Sequence, residues 1–237
     1  MRIVLTISMV LAMLLGGPLT VHARGHHHGS THGQTPGTAA GKKKRKSVAG
    51  KFDYYVLSLS WSPEHCAEKP GGPDDPQCGT TRHYSFIVHG LWPQYENGGY
   101  PQTCATKNKL SESVIAATLP DMPSRDLIQH EWAKHGTCSG LPADAYFQDA
   151  RDAFHRLTVP ARYQGPEDAF HVTAEEVRQE FRTANPDVHD DGIAVLCNGH
   201  FFTELRVCLT KDDLTLRSCG RKVTDNCKGQ VTVRPIR

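Results

Sequence analysis

Eight cysteines constrain this chain more than any other feature. Cys66, Cys78, Cys104, Cys138, Cys197, Cys208, Cys219 and Cys227 all lie behind an apolar leader. Residues 1–23 read as an export signal, with Arg2, an apolar run from Ile3 to Leu15, and Val21-His22-Ala23 as a small-residue cleavage site. That run is too short to cross a bilayer, so the expectation is an exported protein, periplasmic or extracellular, with no membrane span. An even cysteine count in such a chain predicts disulfides, with the pairing open. No two cysteines have CxxC spacing, which argues against a zinc ribbon or a thioredoxin-like redox site.

Charge divides the chain as sharply as the cysteines do. The formal net charge is +2, yet residues 1–50 carry seven Lys/Arg and no acid, leaving 20 Lys/Arg against 25 Asp/Glu in residues 51–237. A basic-groove nucleic-acid binder would not look like this. Any anionic substrate must be held by a local cluster. Residues 24–50 contain no aromatic residue and a single large aliphatic one, Val48, too little apolar surface to fold. The expected organisation is therefore a signal peptide at 1–23, a disordered His-rich and basic linker at 24–50, and one folded domain at 51–237. Within the linker, His26-His27-His28 with His32 could bind a transition metal loosely. The Lys42–Lys46 run could approach RNA or an anionic surface. The simpler reading of both is a solvating leader.

In the folded part, FDYYVLSLSW from Phe52 alternates like a buried strand, and HYSFIVHGLWP at 83–93 predicts a second. Pro63 and the Pro/Gly-rich stretch up to Cys78 read as an irregular loop. Helical spacing appears at Leu110–Leu119 and Ala143–Leu157, and Thr173 with Glu176 forms a capping box that opens a helix ending near Ala184. Gly192–Cys197 and His200–Leu209 are strand-like, followed by short segments. Strands and clustered helices predict a single α+β domain, an antiparallel sheet flanked by helices and stapled by disulfides.

Two segments carry chemistry. In HEWAKHGTC at 130–138, preceded by Ser124 as N-cap and stopped by Gly136, helical spacing puts Leu127, Ile128, Glu131, Trp132 and His135 on one stripe. His130 and Lys134 flank it. Ionisable groups thus share the apolar side, where charge is costly unless paired or used. A structural salt-bridged helix, with Glu131 holding His135 or Lys134, is the plain alternative. In FIVHGLWPQ at 86–94, a β-branched run delivers His89, and Gly90 frees the backbone to turn. A lone histidine there would be structural more often than catalytic, but here it joins two histidines, a glutamate and a lysine. Two imidazoles can serve as general base and general acid. A lysine and a cationic histidine can stabilise a phosphorane-like transition state, and Trp92 can stack on a base, worth about 1–3 kcal/mol. That set suits metal-free transphosphorylation of RNA through a 2′,3′-cyclic phosphate. DNA lacks the attacking 2′-OH and should resist cleavage.

HGLWPQ at 89–94 and HEWAKHGTC at 130–138 closely resemble the two active-site segments of the T-two family of secreted ribonucleases. The resemblance runs from YYVLSLSWSPEHC near residue 54 to FTELRVCLTKDDLTLRSC near residue 219, almost all of the folded part. It implies His135 as the base on the 2′-OH and His89 as the acid on the leaving oxygen. His130 would contact phosphate, Glu131 and Lys134 would stabilise the transition state, and Trp92 would help place a base or ribose. It further implies the family's α+β fold, no cofactor and no metal. The implied disulfides are Cys104–Cys138, Cys66–Cys78, Cys197–Cys227 and Cys208–Cys219. The expected partner is single-stranded RNA, cut with low base specificity by a monomer. Two rivals remain: a metal-dependent phosphodiesterase, disfavoured because His130 and His135 are five residues apart where a zinc helix needs four, and an envelope protein binding RNA or metal through the 24–50 linker.

Overall fold

The computed structural model describes residues 47–236; the signal and linker motifs up to Lys46 lie outside the described residues. The framework is a strand register. β1 (Tyr54–Trp61) lies antiparallel between β2 (Phe86–Gln94) and β5 (Phe201–Thr210), and β4 (Ile193–Asn198) pairs with the far side of β5. β6 (Gln230–Val233) touches β5 through the one parallel pairing, Phe201 with Thr232, and carries β3 (Phe170–Thr173) at the edge.

Period-two alternation decides what each face does. Tyr55, Leu57, Leu59 and Trp61 of β1, with Leu205, Val207 and Leu209 of β5, are buried in the main core. Against this face pack α2 (Glu112–Thr118), α3 (Arg125–Lys134), α4 (Ala143–Arg156) and α5 (Ala174–Ala184), through Ile115, Ile128, Phe147 and Phe181 among others. Trp61 and Phe86 meet edge-on at 5.0 Å, a geometry worth about 0.5–1.5 kcal/mol beyond burial. The opposite face holds only a small apolar cluster of Tyr54, Val56 and Cys208 with Trp92, Cys219 and Val223. Beside it stand Ser58, Ser60, Glu204 and Arg206. One face of the sheet is core, and the other is polar.

Local signals place most of the helices. Ser124 accepts from Leu127 N at 3.2 Å to start α3, and Thr173 with Glu176 closes the capping box of α5. One segment departs from expectation: Ser62–Glu68 is a helix, α1, not a loop. Pro63 sits in its first turn, where a missing N–H costs nothing. Gly136 does not end α3 through a left-handed cap. The chain tightens instead into a 3₁₀ turn, Gly136–Cys138, and a Cβ at Gly136 would overlap Trp132 and Tyr146.

All eight cysteines pair, as Cys66–Cys78, Cys104–Cys138, Cys197–Cys227 and Cys208–Cys219. Residues 47–50, which composition assigns to the linker, are tied to this domain. Gly50 N donates to Cys138 O at 2.9 Å, Ser47 Oγ accepts from Gln102 N at 3.1 Å, and Lys211 Nζ donates to Gly50 O. Among the described residues, no helix is long and apolar enough to cross a membrane.

Candidate active site

The site grows from an irregularity in β2. Ser58 pairs with Gly90 and Leu59 with Val88, so His89 is the extra residue of a β-bulge. A bulge re-aims the side chain that it inserts. The imidazole leaves the core rhythm and turns onto the polar face. There it crosses β1 where that strand presents the small side chains of Ser58 and Ser60, and reaches β5. His89 Nδ1 lies 3.0 Å from Glu204 Oε2. The carboxylate is fixed at its other end by Arg206 Nε, 2.6 Å from Oε1.

Gly90 does something other than turn the chain, because β2 runs on to Gln94. A Cβ at this position would overlap both the Glu131 carboxylate and the Trp92 indole nitrogen. The glycine makes room for a hydrogen bond in which Trp92 Nε1 donates to Glu131 Oε2 at 2.6 Å. That bond joins the two sequence motifs.

α3 supplies the other wall. Ile128 is anchored in the core at 0% exposure, and Glu131 (1%) and His135 (4%) follow on the same stripe. Glu131 Oε1 stands 3.9 Å from His89 Nε2. Trp92 lies between the two imidazoles, with ring centroids 5.1 Å from His89 and 5.3 Å from His135. The His135 ring also packs 5.4 Å from Tyr100, and its Nδ1 is buried without a hydrogen-bond partner. His130 is exposed and Lys134 half-buried; both line the cleft. The end of α3 is fastened by Thr103 N donating to Lys134 O at 2.8 Å and by the Cys104–Cys138 disulfide one turn on.

The cleft holds about 400 Å³ and takes in all six sequence-predicted residues: His89, Trp92, His130, Glu131, Lys134 and His135. Arg206, Tyr100, Gln94 and Lys222 also line it. Sequence reasoning missed Glu204 and Arg206. Their only signal is two opposite charges at alternate positions of a strand whose other face is apolar. Among the described residues, no group of three or more His, Cys, Asp or Glu is arranged to hold a metal ion.

The two imidazoles sit in opposite electrostatic settings. For His89, burial alone would disfavour the proton, but the hydrogen bond and charge of Glu204, with Glu131 behind it, outweigh that and raise its pKa. For His135, burial is reinforced by the positive charge of Lys134, His130 and His89, and its pKa is pushed down to about 3. Burial likewise raises Glu131, against the pull of His89, Trp92 and Lys134. In Glu204 burial is overcome by His89 and Arg206, and its pKa is lowered. Groups whose surroundings drive their pKa values apart are suited to opposite proton-transfer roles.

Comparison with known proteins gives this geometry a context. The model of the Ribonuclease T2 family matches residues 52–219. A ribonuclease of Aeromonas hydrophila is 39% identical over 186 residues, covering 74% of this chain and 80% of that one. A probable ribonuclease of Haemophilus influenzae is 35% identical over 130 residues, half of this chain and 48% of its own length. Among solved structures, RNase NT in complex with 5′-AMP superposes with a TM-score of 0.61 at 26% identity, covering 78% of this chain and 99% of that one. Trichomaglin, an S-like ribonuclease, matches in fold with a TM-score of 0.64 at 20% identity, over 79% and 100% of the two chains.

Proposed function

The chain belongs to the ribonuclease T2 family and is an endoribonuclease, and from that premise we propose that it cuts single-stranded RNA by metal-free transphosphorylation. His135 Nε2 takes the proton from the ribose 2′-OH as that oxygen attacks phosphorus. His89 Nε2 protonates the departing 5′-oxygen, and the product carries a 2′,3′-cyclic phosphate. His130 and Lys134 hold the phosphate oxygens and stabilise their growing charge. Glu131, held by Trp92, sits behind the reacting centre and steadies the cationic state of its neighbours. Trp92 is half-buried between His89 and His135, so it positions Glu131 and still offers ring surface to the cleft.

The observation that carries this reading is the opposed setting of the two imidazoles across one cleft. A carboxylate at Nδ1 favours the charged form of one, and burial among cations favours the neutral form of the other. An acid and a base are thereby ready together at the same pH. An incoming phosphodiester adds negative charge beside His135 and lifts its low pKa towards a useful range.

Base preference is low in this proposal, because Tyr100 and Trp92 supply ring contacts, and stacking tolerates any base. The leader at 1–23 and the four disulfides support export to the periplasm or the extracellular space. The functional unit is the folded domain, which takes in residues 47–50 and acts as a monomer, with the His-rich and basic residues before it as a linker. DNA is not a substrate, since it has no 2′-OH to attack.

The test is incubation with a ribodinucleoside phosphate and its deoxy analogue in excess EDTA, with phosphorus NMR of the products. The expected result is a 2′,3′-cyclic phosphate from the ribo substrate only. Cleavage of both substrates, or a requirement for added metal, would overturn the mechanism.

A further inference from the structure

We propose that Glu204, a residue outside both sequence motifs, is the positioning residue that sets His89 for its role as proton donor. This inference rests on the acid–base reading above. Its first support is geometric. Glu204 is buried at 8% exposure and lies 3.0 Å from His89 Nδ1 across the two small serines of β1. Its second oxygen is occupied by Arg206 Nε at 2.6 Å. The carboxylate is therefore gripped at both ends and cannot swing away. A carboxylate at Nδ1 makes that nitrogen the N–H donor. Nε2 is then the atom left to exchange a proton, and it is the nitrogen that faces Glu131 Oε1 in the cleft.

The second support comes from the charges that face His89 from every side. Glu204 and Arg206 stand on β5, Glu131 and His135 on and just beyond α3, and His65 on α1. Burial, Arg206 and the two histidines all oppose an imidazolium at position 89. Only Glu204 and Glu131 favour it, and Glu204 is the one in hydrogen-bond contact. Without Glu204 the ring would lose its proton at a pH where the intact site keeps it.

The proton balance of the step is simple. As the phosphorus–5′-oxygen bond breaks, the Nε2 proton of His89 passes to that oxygen. Nδ1 keeps its hydrogen, and Glu204 exchanges no proton. Glu204 thus acts through His89 and never touches the substrate.

Histidine ring NMR, with His89 identified by comparison with His89→Asn, tests this directly in the wild type, Glu204→Gln, Glu204→Asp and Arg206→Gln. In Glu204→Gln, His89 should release its proton at least tenfold more readily. The alkaline limb of the cleavage profile should move to lower pH by the same amount, with kcat reduced about tenfold at neutral pH and KM little changed. Glu204→Asp should recover part of the shift. Arg206→Gln should move the His89 titration the opposite way, which a general loosening of the sheet would not do. An unchanged His89 titration in a folded Glu204→Gln variant overturns the proposal. If the titration moves as expected but the wild type yields no 2′,3′-cyclic phosphate, the reaction assignment fails while the link between Glu204 and His89 stands.

Discussion

The two halves of the cleft use the same side chain in opposite ways. On the β2 side, His89 projects from a bulge and has Glu204 at its Nδ1. On the α3 side, His135 ends a helix, is enclosed by Trp92 and Tyr100, and has no partner at Nδ1. A buried carboxylate favours the charged form of one imidazole, and desolvation with nearby cations favours the neutral form of the other. A shared residue type therefore says little about role. In the proposed mechanism, a carboxylate at the far nitrogen of one ring and its absence at the other set which way each proton moves.

The largest test of that difference is the removal of each ring in turn. His89→Ala and His135→Ala should each lower cleavage of a dinucleoside phosphate roughly 10²–10⁴-fold, the usual worth of a positioned acid or base. A substrate with an aryl leaving group separates the roles, because a good leaving group needs no proton. His89→Ala should recover most of its rate on it and His135→Ala should not. Equal recovery in both would erase the distinction.

Next in size is the staple behind the α3 side. Removing the Cys104–Cys138 bond with a double alanine variant should cost roughly 2–4 kcal/mol in urea unfolding, and cleavage should fall as the helix end loosens. Stability within 0.5 kcal/mol of wild type, about the scatter of ordinary surface substitutions, would show that the Thr103–Lys134 contact suffices.

Gly90→Ala probes the seam between the halves. Overpacking of a tight site costs about 1–3 kcal/mol, and here it falls on the Trp92–Glu131 hydrogen bond. Cleavage should drop about tenfold or more with far-ultraviolet circular dichroism unchanged. An active Gly90→Ala enzyme would mean that this bond is dispensable.

The last test is a pair of opposite pH slopes in stability, which leaves the cleavage rate aside. The folded pKa of His135 is about 3, below its ordinary value of 6.5, so the unfolded chain binds the proton more readily between those values. Stability should fall as pH drops through that window, and His135→Asn should flatten the fall. His89 has a raised folded pKa. Its contribution is complete below 6.5 and is lost as pH rises through the folded value, so His89→Asn should flatten a loss on the alkaline side. The His135 fall should amount to roughly 1 kcal/mol or more, since one pKa unit is worth about 1.4 kcal/mol. Slopes of the same sign would contradict the assignment.

Much of this was legible in the residues themselves. Ser124, Thr173 and Glu176 mark helix starts because a side-chain oxygen can satisfy the first free N–H groups wherever the helix sits. The alternation of Tyr55, Leu57 and Leu59 with Val56, Ser58 and Ser60 separates two faces before any partner strand is known. Ile128, Glu131 and His135 share a stripe because helical spacing alone puts them there. Pro63 misled because the same ring that breaks a helix interior fits its first turn. Gly90 and Gly136 read as points of backbone freedom, whereas their neighbours in space need the missing Cβ.

The sequence by itself determined which groups could do chemistry, since HGLWPQ and HEWAKHGTC each gather their residues within a few positions. Only the tertiary structure decided what surrounds each group. Glu204 lies 115 residues from His89 along the chain and meets it because a bulge turns the ring and two serines leave it room. Periodicity and capping act over a few residues and can be read along a chain. A pKa depends on burial and on charges a few ångströms away in space, which only the folded register brings together.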